Sequence, residues 1–104
     1  MIDFDRIVGF QWDPGNHRKN ADKHDVSHTE AEEVFFNEPL LLYPDAKHST
    51  LEGRYLALGH TNAGRLLTVI FTLRSDASLI RVISARDQHR KERTWYEQGP
   101  PRSA

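Results

Sequence analysis

The chain has 104 residues and a mass of 12.0 kDa, the size of one domain. It has no cysteine, which excludes a disulfide scaffold, a thiolate nucleophile and any Cys-based zinc or iron–sulfur site. The formal charge of −1 hides a split: residues 1–50 carry 5 Lys/Arg and 10 Asp/Glu, whereas residues 51–104 carry 9 and 5. Eight of the ten arginines fall in the second half, and the planar fork of arginine suits phosphate and carboxylate groups. No apolar run approaches the ~18 residues of a membrane span. The acidic Met1–Arg6 segment has no apolar core of a signal peptide. The expectation is a cytoplasmic single domain.

In chain order, Val8–Trp12 alternates large apolar with small or polar residues and predicts a short strand. Asp13-Pro14 opens a mostly polar helix that runs through Lys23. Ser27 and Glu30 form a capping-box pair that starts a second helix through about Phe36, stopped by Asn37-Glu38-Pro39. Leu40–Tyr43 reads as a strand, followed by a polar loop from Pro44 to Gly53. Arg54–His60 and Arg65–Thr72 are stronger strands joined by the tight turn Asn62-Ala63-Gly64. Leu79–Ala85 is a third, and Asp87 is expected to cap a final helix from Gln88 to about Glu97. Gly99-Pro100-Pro101 ends it, with a disordered tail at 99–104.

This order predicts an α+β fold: an antiparallel β-sheet with two N-terminal helices and one C-terminal helix packed on it. The expected interior includes Trp12, Val34, Phe35, Leu41, Leu56, Leu58, Leu67, Val69, Phe71, Ile80, Val82 and Ile83, with Trp95 as an anchor of the last helix.

With thiols absent, chemistry rests on His, Arg, Lys and Tyr. His24 and His28 stand four apart, but Asp25-Val26-Ser27 reads as a helix break between them, so no metal site is expected. Arg54 and Arg65 begin adjacent strands, and His60 lies across the turn from Arg65. Arg81 interrupts an apolar strand that Arg86 closes. A charge there faces water, pairs with an acidic side chain of the first helices, or serves a site. Strand parity puts Arg81 and Arg86 on opposite faces unless a bulge re-aims Arg86. Tyr96 is either core with its hydroxyl at the rim, or a proton donor and stacking platform.

Ordered along the chain, these residues resemble a known family. Phe10-Gln11-Trp12-Asp13-Pro14, Asn20–Ser27, Ala31–Phe35, Glu52-Gly53-Arg54-Tyr55, Gly59, Arg65, Val69 to Arg74, Arg81–Arg86, Glu92 and Tyr96-Glu97 look like the BrnT family. These are toxins of type II toxin–antitoxin modules with a RelE-like fold. The likeness spans about residues 9–97. It departs at Asp25, where the family has Gly in a left-handed helix stop that Asp also tolerates. It departs again at His28, where the family has an aromatic, and at Thr72-Leu73-Arg74, which lacks an acidic residue between Thr and Arg.

The resemblance implies one RelE-like toxin domain over 1–98, a translation-inhibiting endoribonuclease. Its implied partners are RNA and a BrnA-type antitoxin with a ribbon-helix-helix domain, which alone touches operator DNA. The RNA 2′-OH is the nucleophile, so neither metal nor other cofactor is needed. Arg86 and Arg65 are the candidates for phosphoryl charge stabilisation, with Arg54 and Arg81 binding RNA. For proton transfer the candidates are His60, Lys23 and Tyr96. His60 has the natural pKa, and the resemblance favours Lys23 and Tyr96. A rival reading is a non-catalytic module that binds RNA or the antitoxin in operon autorepression. A small-molecule enzyme fits least, because no nucleophile, cofactor loop or metal motif is present.

Overall fold

The computed structural model describes residues 2–12, 25–45 and 53–98. Strand β1 is Gly9–Gln11, helix α1 is His28–Glu33 with a 3-10 turn over Val34–Phe36, and β2 is Leu41–Pro44. Then come β3 (Arg54–His60), β4 (Leu66–Arg74), β5 (Leu79–Asp87) and helix α2 (Arg90–Gln98). Among the described residues, one helix precedes the main sheet strands and one follows them. The helix expected over Pro14–Lys23 and the tail at 99–104 lie outside the described residues.

Local signals act where the sequence places them. The Ser27 side chain accepts from the Glu30 backbone N–H, and the Glu30 carboxylate accepts from the Ser27 N–H, closing the capping box. Asp25 takes the left-handed conformation at φ 55°, which Asp tolerates at modest cost. Gly64 does so at φ 91° in the β3–β4 turn, where a Cβ would be strained. The replacement of an aromatic by His28 keeps a ring contact, because the imidazole stacks on Trp12 at 3.8 Å. Trp12 in turn donates its indole N–H to Glu32 at 2.8 Å.

The sheet order is β1-β5-β4-β3-β2. The strands β2 to β5 are antiparallel neighbours, but β1 lies parallel to β5, with Phe10 opposite Ile80. The fully antiparallel sheet expected from sequence is therefore corrected to a mixed one. A three-residue strand carries no signal for the edge it joins, and here the Val8 N–H donates to the Ser78 carbonyl to set a parallel register.

One face of the sheet carries the main core. Leu67, Val69 and Phe71 of β4 pack with Ala57, Ile80, Val82 and Ala85, under Val26, Ala31 and Val34 of the α1 region. The opposite face holds a smaller cluster of Leu41 and Leu58 with Tyr96 of α2. Gly59 makes the first contact possible. A Cβ there would sit 2.5 Å from Val34 Cγ1 and 3.2 Å from the Val34 carbonyl oxygen. Gly59→Ala is expected to cost about 1–3 kcal/mol by overpacking. Urea denaturation checks this, and Val34→Ala in the same chain should recover part of the loss.

Several interior expectations need correction. Trp95 is 41% exposed, not a core anchor, because α2 turns Glu92 and Tyr96 toward the sheet instead. Trp12, Phe35, Leu56 and Ile83 are half-buried. Asp87 remains in β5, and α2 begins two residues later than expected, with the His89 carbonyl accepting from the Arg93 N–H.

Candidate functional site

The decisive local feature is a register shift in β5. Ile70 pairs with Ser84 but the next residue, Phe71, pairs with Val82, so Ile83 is an extra residue in β5. One extra residue reverses the facing of everything after it. Arg81 and Arg86, five residues apart, thereby share one face, the alternative that strand parity alone disfavours.

That face, opposite to α1, reads as cross-strand rows. Arg54, Thr72 and Arg81 stand opposite one another on β3, β4 and β5. The next row is Tyr43, Leu56, Ile70 and Ser84, and the next is Leu41, Leu58, Thr68 and Arg86. The last is His60 with Leu66. Rows lie two residues apart, about 7 Å, so Arg54 and His60 are separated by roughly 20 Å along β3. Helix α2 packs on the Thr68–Arg86 row through Glu92 and Tyr96.

Arg86 is held by Glu92, which is 8% exposed. Nη1 donates to Oε1 at 2.8 Å and Nη2 to Oε2 at 3.0 Å, a two-pronged pair. Glu92 also accepts from Thr68 Oγ1 at 2.9 Å and from the His89 N–H at 2.8 Å. Burial alone would raise its pKa; the opposing bonds from Arg86, His89 and Thr68 win and bring it down to about 2. Arg86 gives a further N–H to the Asp87 carbonyl at 3.2 Å, which leaves donors of its five for another anion. Sequence reasoning misses the role of Glu92, for which its spacing of six from Arg86 is the available signal.

His60 and Tyr96 come together at the far end of this face, with ring centroids 6.5 Å apart. Both grip the Glu38–Pro39 segment. Tyr96 Oη donates to the Pro39 carbonyl at 2.6 Å, and burial pushes its pKa up. His60 sets Nε2 3.0 Å from the Glu38 carbonyl and Nδ1 2.9 Å from the Thr61 carbonyl. A neutral imidazole has one N–H and satisfies one carbonyl; the imidazolium satisfies both. The Glu38 carbonyl, then that of Thr61, therefore raises the His60 pKa.

The consequence for stability has a definite sign. A raised folded-state pKa contributes stability that is complete below the unfolded value of about 6.5 and is lost as pH rises through the folded value. Wild type should lose on the order of 1 kcal/mol across that window, modest because the ring is half-exposed. Denaturant midpoints measured from pH 5.5 to 8.5 check this, and His60→Gln should flatten the slope.

Arg65 lies on the other face. Nε and Nη2 donate to the Asp87 carboxylate at 2.8 and 3.1 Å, and Nη1 to Glu30 at 3.2 Å and the Asp25 carbonyl at 2.8 Å. Asp87 first, then Glu30, hold its guanidinium still more firmly charged. The Ser27 N–H and Arg65 together lower the Glu30 pKa. This arrangement fastens the start of α1 to β4 and β5. Arg65 and Arg86 are thus not brought together. Helix α1 lies across the sheet from Arg81, and the other helix expected to offer Arg81 an acidic partner lies outside the described residues. Lys23 lies outside the described residues.

Among the described residues no three His, Asp or Glu side chains gather as a metal-binding group. No helix among them is long and apolar enough to cross a membrane. An apolar cleft of about 530 Å³ sits at the β1 edge, lined by Phe4, Val8, Phe10, Phe35 and Phe36 among others, and none of the candidate residues lines it.

Three comparisons bear on this geometry. The family model described as "Ribonuclease toxin, BrnT, of type II toxin-antitoxin system" matches residues 12–92. Among solved structures, the chain is similar to the 1.1 Å crystal structure of the Brucella abortus ribonuclease toxin, BrnT. The TM-score is 0.60 at 21% identity, over 80% of this chain and 99% of that one, a likeness of fold. No curated protein sequence matches significantly.

Proposed function

This chain belongs to the BrnT family of ribonuclease toxins of type II toxin–antitoxin systems, and we propose that it cleaves RNA by attack of the 2′-OH on the adjacent phosphate. The observation that carries the reading is the extra residue Ile83, which turns Arg86 to the face that bears Arg54 and Arg81. Three guanidinium groups along one face suit the repeated charges of an RNA backbone.

The scissile phosphate lies at Arg86, whose remaining donors stabilise charge on the phosphoryl oxygens. Arg54 and Arg81 hold phosphates farther along the strand. Arg65, fastened to Asp87 and Glu30 across the sheet, supports the fold rather than the phosphate. In the step itself, the 2′-oxygen–phosphorus bond forms and the phosphorus–5′-oxygen bond breaks. The 2′-OH proton goes to a base, and an acid protonates the departing 5′-oxygen. The raised pKa of His60 favours the imidazolium and suits it as the acid, Tyr96 stays a neutral hydroxyl that hydrogen-bonds the leaving oxygen, and Lys23 is left as the base. The products are a 2′,3′-cyclic phosphate and a 5′-OH, and cleavage of messenger RNA inhibits translation. A BrnA-type antitoxin neutralises the chain and alone contacts operator DNA.

A second reading, binding without cleavage, draws on one observation: Arg86, His60 and Tyr96 are already committed to Glu92 and to backbone carbonyls. Incubation of the purified chain with RNA in excess EDTA separates the two. Fragments with 5′-OH and cyclic-phosphate ends are expected. RNA bound but uncut, both free and with translating ribosomes, overturns the nuclease reading and leaves the binding module.

A further inference from the structure

Tyr43 and Trp95 stand beside the arginine face without a role in the reaction described. Trp95 projects from α2 with 41% of its surface exposed, although tryptophan is the side chain that gains most from burial. Its ring centroid is 6.1 Å from that of Tyr43, and the planes are inclined at 46°, so neither ring covers the other's face. Lys91, one helical turn back, holds Nζ 5.5 Å from the Trp95 centroid. Tyr43 belongs to the half-exposed row with Leu56, Ile70 and Ser84. That neutral row runs between two that carry arginines: Arg54 and Arg81 on one side, Arg86 on the other.

We propose that Tyr43 and Trp95 form a stacking subsite for one unpaired base of a single-stranded RNA whose phosphates follow the flanking arginines. The inference rests on the RNA reading above and adds where a base, rather than a phosphate, is held. Three features of the surface favour single-stranded RNA over a protein segment. The neutral row is narrow, and Arg54 stands one row along and one strand over from Tyr43, about 8 Å away. A neutral strip beside a cationic group matches a chain in which each base is followed by a phosphate. The exposed indole of Trp95 offers a π-face, which any base can meet without hydrogen-bond matching. Lys91 adds positive charge at the ring itself, where a nucleotide brings its phosphate.

The selectivity that follows is for unpaired strands, with little preference among bases at this position. A duplex cannot present a base face to the rings without opening.

The test uses an oligonucleotide with 2′-O-methyl groups, which lacks the nucleophile and is bound without being cut. Fluorescence anisotropy of the labelled oligonucleotide gives Kd. Trp95→Ala is expected to weaken binding about 5- to 150-fold, the range for loss of one base–aromatic stack. Trp95→Phe should recover most of that loss. One abasic position should weaken binding to wild type and have no further effect on Trp95→Ala. In a Trp12→Phe background Trp95 is the sole tryptophan, and its emission should be quenched on saturation. Equal affinity of wild type and Trp95→Ala, with both folded, overturns the subsite and leaves the RNA reading standing. Binding of neither wild type nor variant, with no cleavage, overturns both. Loss of antitoxin binding in Trp95→Ala with RNA affinity unchanged also overturns the subsite and assigns the rings to the protein partner.

Discussion

Glu92→Ala is expected to lower the unfolding free energy by about 1–3 kcal/mol, the usual cost of leaving hydrogen-bonding groups without a partner. Glu92 is 8% exposed and satisfies four donors: two prongs of Arg86, the Thr68 hydroxyl and the His89 N–H. Alanine leaves the guanidinium uncompensated and strands the hydroxyl under α2. Guanidinium denaturation of the single and double variants measures the pair. Glu92→Ala with Arg86→Ala should cost less than the sum of the two, because the uncompensated charge is gone.

The same carboxylate shapes acid stability. Its pKa of about 2 lies below the ordinary 4.5. A lowered folded-state pKa contributes stability that is present above the unfolded value and lost as pH falls through the folded one. The contribution at neutral pH is of order 3 kcal/mol and disappears between about pH 4.5 and pH 2. Glu92→Gln should be less stable than wild type at pH 7 and converge with it near pH 2. Parallel curves for the two proteins would show that Glu92 does not titrate with folding.

The second large effect is on cleavage. Arg86→Ala should reduce kcat by roughly 10²–10³, the cost of removing one donor from a developing oxyanion. Because Glu92 is left unpaired, the assay needs a temperature at which circular dichroism shows the variant folded. Arg81→Ala supplies the contrast, since Arg81 lies in the row remote from Arg86. It should raise KM about tenfold with kcat nearly unchanged, and reduce the salt dependence of binding by about one unit of slope. If Arg81→Ala lowers kcat as much as Arg86→Ala does, the scissile phosphate sits at the Arg54–Arg81 row instead. If Arg86→Ala, shown folded, cleaves normally, Arg86 acts only through Glu92 as part of the fold.

Features whose physics is local are legible in the residues alone. The bounds of β3, the Ser27–Glu30 capping box, the left-handed Asp25 and the Gly64 turn all depend on bonds or φ limits within a few residues. The ordered family motifs also survive in one dimension, since they need no distances. Which cations act together depends on contacts between distant segments. Arg65 and Arg86 look equivalent as strand-end arginines, yet one is fastened to Asp87 and Glu30 and the other to Glu92 on the opposite face. Parity arguments carry along a strand until a residue is inserted, and Ile83 has no local signature that announces it. Trp95 was legible as a large aromatic on a helix, but its exposure follows from α2 presenting Glu92 and Tyr96 to the sheet. The parallel edge strand β1 escaped for the same reason: pairing between distant segments is set by the whole assembly, and three residues are too few to specify it.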